Sequence, residues 1–107
     1  MILSVDQGTT HTKALAVARD GSVHHRVSSE AMNMRYPEPG FVECDAEEIW
    51  ESAARCLLAC ANAAGPARIE GVSIANQRET ALLWDRRTGR ALPTAMSWQC
   101  RRSAALC

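Results

Sequence analysis

The sequence lacks an excess of charge of either sign. Its 107 residues carry 12 basic and 12 acidic side chains, so the formal net charge is zero. No run of like charges is long enough to follow a nucleic-acid backbone or an anionic membrane surface. We therefore expect neither a nucleic-acid partner nor a membrane partner.

Long hydrophobic runs are also missing. The apolar start at 1–5 ends at Asp6 and has neither the basic flank nor the length of a secretory signal. No later run approaches the roughly 20 apolar residues that span a bilayer. This pattern predicts a cytoplasmic protein.

Cysteine pairs at metal-binding spacing are a third absence. The five cysteines are Cys44, Cys56, Cys60, Cys100 and Cys107. Their odd number and the lack of any C-x-x-C pair disfavour a disulfide framework and a structural metal site. We interpret them as reduced thiols, with Cys56 and Cys60 buried as small hydrophobic residues of a helix.

The composition that remains is that of a folded protein. Hydrophobic residues make up 47% of the chain and charged residues 22%, which is the usual balance of a globular domain. A chain of this length can form one compact domain, but not two domains around a deep cleft. We expect one domain, or part of one.

Alternation and turn residues predict three antiparallel strands in the first thirty residues. An apolar run at 2–5 precedes turn residues at 7–10, and larger apolar residues alternate with alanines over 12–18. Asp20-Gly21 is a strong hairpin signal before the alternating segment 23–27. The meander is followed by a loop at 36–40, where two prolines disfavour regular structure.

A helix is predicted to begin at Asp45. Glu48 stands three residues later, so the two can form a capping box, and Gly65-Pro66 predicts the end. The face expected to pack on the sheet consists of Ile49, Ala53, Cys56, Leu57 and Cys60. Later patterns predict strands at 69–75, 81–84 and 95–98, a turn at 85–89, and the first turn of a helix from Arg101.

This order of elements defines an α/β fold. It lacks the strict strand-helix alternation of a doubly wound dinucleotide-binding fold. It is similar instead to a ribonuclease H-like, actin-like ATPase half-domain, with a mixed sheet and one main helix.

The segment D-Q-G-T-T-H-T-K at 6–13 carries groups suited to phosphate. Gly8 lets the backbone bend and approach an anion, the hydroxyls of Thr9 and Thr10 can donate, and Lys13 adds positive charge. Asp6 can hold Mg²⁺ through one carboxylate and several waters. Neither G-x-x-x-x-G-K-[ST] nor G-x-G-x-x-G is present, and an ordinary hairpin turn is the alternative.

Five segments in order resemble one family along essentially the whole chain. They are D-Q-G-T-T at 6–10, Y-P-E-P-G-F-V-E at 36–43, E-E-I-W at 47–50, N-Q-R-E-T at 76–80 and S-W-Q-C-R-R at 97–102. Together they closely resemble the amino-terminal domain of the FGGY carbohydrate kinases, among them the glycerol kinases. The resemblance implies ATP-dependent phosphorylation of glycerol, with ATP and Mg²⁺ as cofactors.

The resemblance also implies site residues. Arg78 and Glu79 would bind the hydroxyls of the polyol, and Trp98 would lie against its carbon side. A surface ion pair and a core tryptophan are the respective alternatives, whereas Trp50 and Trp84 are predicted to be core residues.

Nucleotide phosphates would contact Thr9, Thr10, His11 and Lys13, with Asp6 near the metal. His11 and Lys13 stand where glycerol kinases more often have serine and arginine. Cys100 stands where many members have aspartate, which bears on the exact polyol.

The resemblance predicts that 1–107 is an amino-terminal kinase domain, incomplete at its carboxy-terminal end. The catalytic base is expected downstream, so no catalytic residue is assigned in this chain. We expect the isolated chain to be inactive and prone to self-association, and a full-length form to be homo-oligomeric. A kinase for another polyol such as erythritol, a non-catalytic polyol-binding remnant, and an actin-like or chaperone-like ATPase are the competing hypotheses.

Overall fold

The computed structural model describes residues 1–106. Its strands are β1 (Ile2–Gln7), β2 (Thr12–Val17), β3 (Val23–Ser28), β4 (Glu43–Asp45), β5 (Gly71–Asn76) and β6 (Thr94–Met96). The helix α1 spans Ala46–Ala64, and a 3-10 helix spans Pro66–Arg68. No helix among the described residues combines the length and apolar character needed to cross a membrane. The predicted α/β class with one main helix is confirmed.

The chain forms two compact units. Residues 1–31 and 50–77 make up the first, the four-stranded unit, and residues 32–49 together with those from 78 onward make up the second, the two-stranded unit. The first turn of α1 belongs to the second unit and the rest of the helix to the first.

The sheet of the four-stranded unit is mixed. β1, β2 and β3 form the predicted antiparallel meander, and β5 pairs in parallel with the other side of β1, giving the order β3-β2-β1-β5. β5 begins two residues later than predicted, because Ile69 N donates to Pro66 O in the preceding turn (3.1 Å).

One face of this sheet packs on α1. Leu3 and Ala16 are register partners in β1 and β2, and both are buried. They form one cluster with Ala14 and with Cys56 and Cys60 of the helix. The cluster places the core of this unit between the helix and the meander.

The helix cysteines are buried, as predicted. The Cys56 thiol donates to Thr12 O at 3.6 Å, and the Cys60 thiol to His25 O at 3.8 Å. Burial raises the pKa of both thiols. Beside them, the buried hydroxyls of Thr12 and Ser52 share a hydrogen bond of 2.7 Å.

The two-stranded unit is built on the antiparallel pair β4 and β6. Cys44 opposes Ala95 in the register, and both are buried together with Ala46. Met34 and Ile49 pack against this small cluster. The interpretation of Cys44 as a reduced thiol is consistent with its burial, which raises its pKa.

The start of α1 confirms half of the predicted capping box. Asp45 Oδ1 accepts hydrogen bonds from Glu47 N (2.9 Å) and Glu48 N (3.4 Å), so Asp45 caps the helix. Glu48 Oε1 accepts from the backbone and side-chain nitrogens of Asn33 instead of returning to Asp45. Gly65, with φ of 88°, follows the last helical residue, as predicted.

Both predictions of a core tryptophan are wrong. Trp50 is 67% exposed and Trp84 is 62% exposed. The buried residues Ser52 and Cys56 recur at intervals of four on α1, and Trp50 lies two residues earlier, which is about 200° around the helix. Trp84 forms only an isolated bridge to Ala91 before the turn.

The segment after β5 is less regular than predicted. No strand forms at 81–84; Ala81 and Trp84 make isolated bridges there. The predicted turn at 85–89 is present, closed by a bond from Gly89 N to Asp85 O (2.8 Å). From Arg101 the described chain forms turns, such as Ala104 N to Arg101 O (3.0 Å), in place of a helix.

Candidate functional site

The glycine of the predicted phosphate loop is required by the turn itself. Gly8 N donates to His11 O at 3.1 Å, closing the connection between β1 and β2. A Cβ at position 8 would lie 2.9 Å from that oxygen, closer than real contacts allow. Gln7 Nε2 also donates to Gly8 O (2.7 Å). Close backbone approach therefore explains Gly8.

Asp6 and Lys13 are brought together at this turn. They are direct partners in the antiparallel register and are both exposed, on the face opposite the buried Val5. Cross-strand partners have Cβ atoms about 5 Å apart. The structure thus places Asp6 and Lys13 on neighbouring strands at the end of β1.

This arrangement fits a hydrated Mg²⁺. The Asp6 carboxylate is solvent-exposed and forms no ion pair among residues 1–106. Mg²⁺ keeps several waters and takes one or two carboxylates together with substrate phosphates. Within the same described range, no three His, Cys, Asp or Glu side chains cluster as a full protein cage. Asp6 could therefore supply one ligand, with phosphate and water supplying the others.

The remaining loop residues are accessible to different degrees. Thr10 and His11 are exposed, and Thr9 is half-buried. His11 Nδ1 lies 3.3 Å from Ser29 O. When the imidazole proton is on Nδ1, this nitrogen donates a hydrogen bond to the Ser29 carbonyl oxygen. The predicted phosphate-binding residues thus lie in the loop between β1 and β2 or at the start of β2.

A contact that sequence reasoning missed joins this loop to the end of β5. Gln77 N donates to Gln7 O (2.8 Å), and Gln77 Nε2 donates to Gln7 Oε1 (3.2 Å). Both glutamines directly follow or end an apolar strand, but only the parallel pairing of β1 with β5 makes them neighbours. The ends of β1 and β5 are therefore joined by one backbone bond and one side-chain bond.

In the two-stranded unit, a cavity of about 260 Å³ brings Glu79 and Trp98 together. The residues lining it are Glu79, Ala81, Met96, Ser97, Trp98, Cys100, Arg102 and Ser103. Arg78 is exposed and precedes Glu79 directly, but it is not one of these lining residues. Two of the three predicted polyol-binding residues, Glu79 and Trp98, therefore line the same cavity.

Glu79 has an unusual backbone. Its φ is 66°, the single positive value at a non-glycine residue among the described residues. This left-handed conformation costs about 1–3 kcal/mol for a residue with a side chain. Neither Arg78 nor Glu79 forms an ion pair within residues 1–106, so the alternative of a surface ion pair is not realised there.

Trp98 lines the cavity and is held there by hydrogen bonds of the backbone. Trp98 N donates to Thr80 Oγ1 at 3.2 Å, and the following turn is closed by Cys100 N to Ser97 O (2.9 Å). The residue is 50% exposed, so it is not the core tryptophan of the alternative interpretation. No local pattern in the sequence predicts this contact of Thr80.

Cys100 differs from the other described cysteines. The backbone N–H of Val42, followed by the backbone and guanidinium of Arg102, lowers the pKa of the Cys100 thiol below its ordinary value. Arg102 Nε lies 3.0 Å from the sulfur. The cavity wall therefore carries a thiol whose pKa is lowered by neighbouring hydrogen-bond donors.

The sequence and the fold match one family. The model of the FGGY family of carbohydrate kinases, N-terminal domain, matches residues 1–107. The chain belongs to the FGGY family of carbohydrate kinases. It is 41% identical over 108 residues to a glycerol kinase of Bacillus thuringiensis (strain Al Hakam), covering 99% of this chain and 22% of that protein.

Solved structures agree. Xylulose kinase from Rhodospirillum rubrum has a TM-score of 0.86 at 26% identity, over 96% of this chain and 21% of that chain. Plasmodium falciparum glycerol kinase with ADP has a TM-score of 0.82 at 30% identity, over 98% and 21%. The expected ribonuclease H-like, actin-like ATPase fold is confirmed, and the chain spans about a fifth of the length of its relatives.

Proposed function

We propose that this chain supplies the amino-terminal part of a kinase that phosphorylates glycerol with ATP. The observation that carries the proposal is the joint placement of Glu79 and Trp98 on one cavity of about 260 Å³. A cavity with a carboxylate and an aromatic ring suits a small polyol, which has hydroxyls on one side and C–H groups on the other. The 41% identity to glycerol kinases supports the choice of glycerol.

Each side chain has a distinct role in this proposal. Glu79 accepts hydrogen bonds from polyol hydroxyls, and Arg78 donates to them from the neighbouring position. The Trp98 ring packs against the carbon backbone of the polyol. The strained backbone of Glu79 is consistent with a side chain held for binding, since such strain concentrates at functional sites.

In this proposal, the loop after β1 binds the phosphates of the nucleotide. Thr9, Thr10 and His11 donate hydrogen bonds to nucleotide phosphates, and Lys13 adds a positive charge. Asp6 would help to hold Mg²⁺, which neutralises charge on the phosphates when bound. Orientation of the attacking hydroxyl requires a base, which we place in the longer protein and not in this chain.

Substitution at position 100 supports a second candidate substrate. Cys100 lines the cavity where many family members have aspartate, and a sulfur accepts hydrogen bonds more weakly than a carboxylate. Another polyol, such as erythritol, is therefore the alternative acceptor. A competition assay between glycerol and erythritol separates the two.

The proposal is tested with a chimera. The matching 108 residues of the Bacillus thuringiensis relative are replaced by this chain, and glycerol-dependent ADP formation is measured. We expect turnover by the chimera and none by the isolated chain. Glu79→Gln and Arg78→Ala should each lower kcat/KM by about 10- to 100-fold, the effect of losing a hydrogen bond to a charged group.

Glu51→Gln serves as the matched control, because Glu51 is an exposed residue of α1 outside both candidate regions. Its kcat/KM should equal that of the chimera. A folded chimera that binds ATP but transfers no phosphate to glycerol or erythritol would overturn the proposal. Equal effects of Glu79→Gln and Glu51→Gln would remove the assigned role of Glu79.

A further inference from the structure

Arg102 makes three contacts beside the candidate polyol cavity. Its Nη2 forms an ion pair with Glu43 Oε1 at 2.5 Å, and its Nε donates to Cys100 Sγ at 3.0 Å. Its guanidinium carbon lies 4.2 Å from the centroid of the Phe41 ring. Separate nitrogens and the flat face of one guanidinium therefore serve three partners at once.

These contacts need an arginine and not merely a positive charge. The guanidinium presents fixed donors in one plane and a stacking face, whereas the ammonium group of lysine is a single point with no face. The Arg102 side chain is 28% exposed and that of Glu43 is 16% exposed. Partial burial weakens solvent screening of the pair, so its geometry is maintained better than that of a surface ion pair.

Backbone bonds connect the same two segments. Arg101 N donates to Gly40 O (2.7 Å), and Ser97 N donates to Val42 O (3.1 Å). The turn at 97–100, which carries Trp98, is therefore joined to the segment 40–43 at both of its ends. The Arg102 side chain adds a charged contact to Glu43, the residue that follows Val42.

We propose that Arg102 is a positioning residue for polyol binding: its contacts with Glu43, Phe41 and Cys100 hold the 97–100 turn so that Trp98 faces the cavity shared with Glu79. This inference rests on the proposed function. Arg102 itself lines the cavity, but its Nη2 and Nε donate to Glu43 and Cys100. It acts through the turn and makes no assigned contact with the polyol.

The test uses the full 107-residue chain with Trp50→Phe and Trp84→Phe, so that Trp98 is the single tryptophan. Glycerol is titrated, and the fluorescence of Trp98 is recorded. Arg102→Gln should raise the Kd for glycerol about tenfold, the effect of losing a charge-assisted hydrogen bond. Arg102→Lys should give an intermediate Kd, because lysine keeps the positive charge but lacks the several fixed donors of the guanidinium. Arg101→Gln, at the exposed neighbouring arginine, is the matched control and should leave the Kd unchanged.

A second readout separates positioning from general stability. The rate of Cys100 alkylation by iodoacetamide is measured against pH in each variant. Arg102→Gln should shift this profile to higher pH, because a donor to the sulfur is lost, whereas Arg101→Gln should not. The charged side chain in contact with Cys100 is Arg102; Glu79 lines the same cavity, and Glu43 pairs with Arg102.

Glu43→Gln provides a second route if Arg102→Gln fails to fold, since it removes the ion pair while keeping Arg102. It should also raise the Kd. Equal Kd values for the Arg102 variants, Glu43→Gln and the Arg101 control would overturn the positioning role and leave the proposed function intact. A parent chain that binds no glycerol, and whose chimera is inactive, would overturn both.

Discussion

Glu79 combines a costly backbone conformation with an exposed carboxylate. Its φ of 66° falls in the region that glycine occupies without strain. The side chain therefore stays at this position against a local preference. Packing does not explain this cost, because Glu79 is exposed.

The strain yields a prediction about stability. Glu79→Gly should be more stable than Glu79→Ala by about 1 kcal/mol, because only alanine retains the Cβ that opposes positive φ. Urea denaturation of both variants measures the difference in free energy of unfolding. Neither variant should bind glycerol. Equal stabilities, or a more stable alanine variant, would show that the strain is absent in solution.

The cysteines yield a prediction about reactivity. Cys100 has a lowered pKa, whereas burial raises the pKa of Cys44, Cys56 and Cys60. Among these four cysteines, alkylation should therefore occur first at Cys100 and persist as pH falls below the ordinary thiol range. A lowered folded-state pKa also means that this thiolate stabilises the fold at alkaline pH and loses that effect as pH falls.

Mass spectrometry of tryptic peptides measures the order, and cleavage at Arg101 separates Cys100 from Cys107. The three buried cysteines should be modified only after denaturant is added. Faster labelling of Cys56 than of Cys100 would contradict the assignment of burial.

At the scale of secondary-structure elements, the turn between β1 and β2 depends on Gly8. Gly8→Ala places a Cβ 2.9 Å from His11 O and strains the bond that closes the turn. We expect a loss of about 1–3 kcal/mol of stability. Gly71→Ala is the matched control, since its Cβ would meet Ile2 Cδ1 at 3.4 Å, an ordinary contact. Thermal unfolding of both variants checks the prediction, and equal losses would contradict it.

Elements that depend on neighbouring residues were predictable. The meander, the Asp45 cap and the end of α1 at Gly65 follow from signals only a few residues long. The prediction of a strand at 81–84 is wrong because an alternating hydrophobic pattern does not ensure that a partner strand lies along the whole segment. The prediction that Trp50 is a core residue is wrong because its position lies about 200° around α1 from the buried Ser52.

The candidate site shows the same division. Family motifs named Glu79 and Trp98, and the structure places both on one cavity. Their supports, Thr80 and Arg102, form contacts across many intervening residues and have no local signature. The positive φ of Glu79 also cannot be predicted from the sequence, because glutamate has no preference for positive φ.

For the whole molecule, β5 is an exposed edge of the four-stranded sheet. Val72 and Ile74 are 57% and 71% exposed, although Ile74 is the register partner of the buried Val5. An apolar edge strand of this kind is a site for pairing between molecules. We therefore expect the purified chain to self-associate.

Ile74→Lys should reduce this self-association, because it places a charge on the apolar face of the edge. Ser73→Lys adds the same charge on the opposite face and should have a smaller effect. Sedimentation velocity at several protein concentrations compares the two. A monomeric parent chain would contradict the expectation, and equal effects of both variants would exclude the apolar face as its cause.

The parallel pairing of β1 with β5 also sets an order of folding. The Gln7 and Gln77 side chains that meet at its end are 70 residues apart in sequence. During synthesis, the residues of the β1–β3 meander are complete long before those of β5 are added. The side of β1 that pairs with β5 therefore has no partner strand until then. The glutamine contact therefore forms late, and the chain segment that leads to Arg78 is fixed only when the sheet is complete.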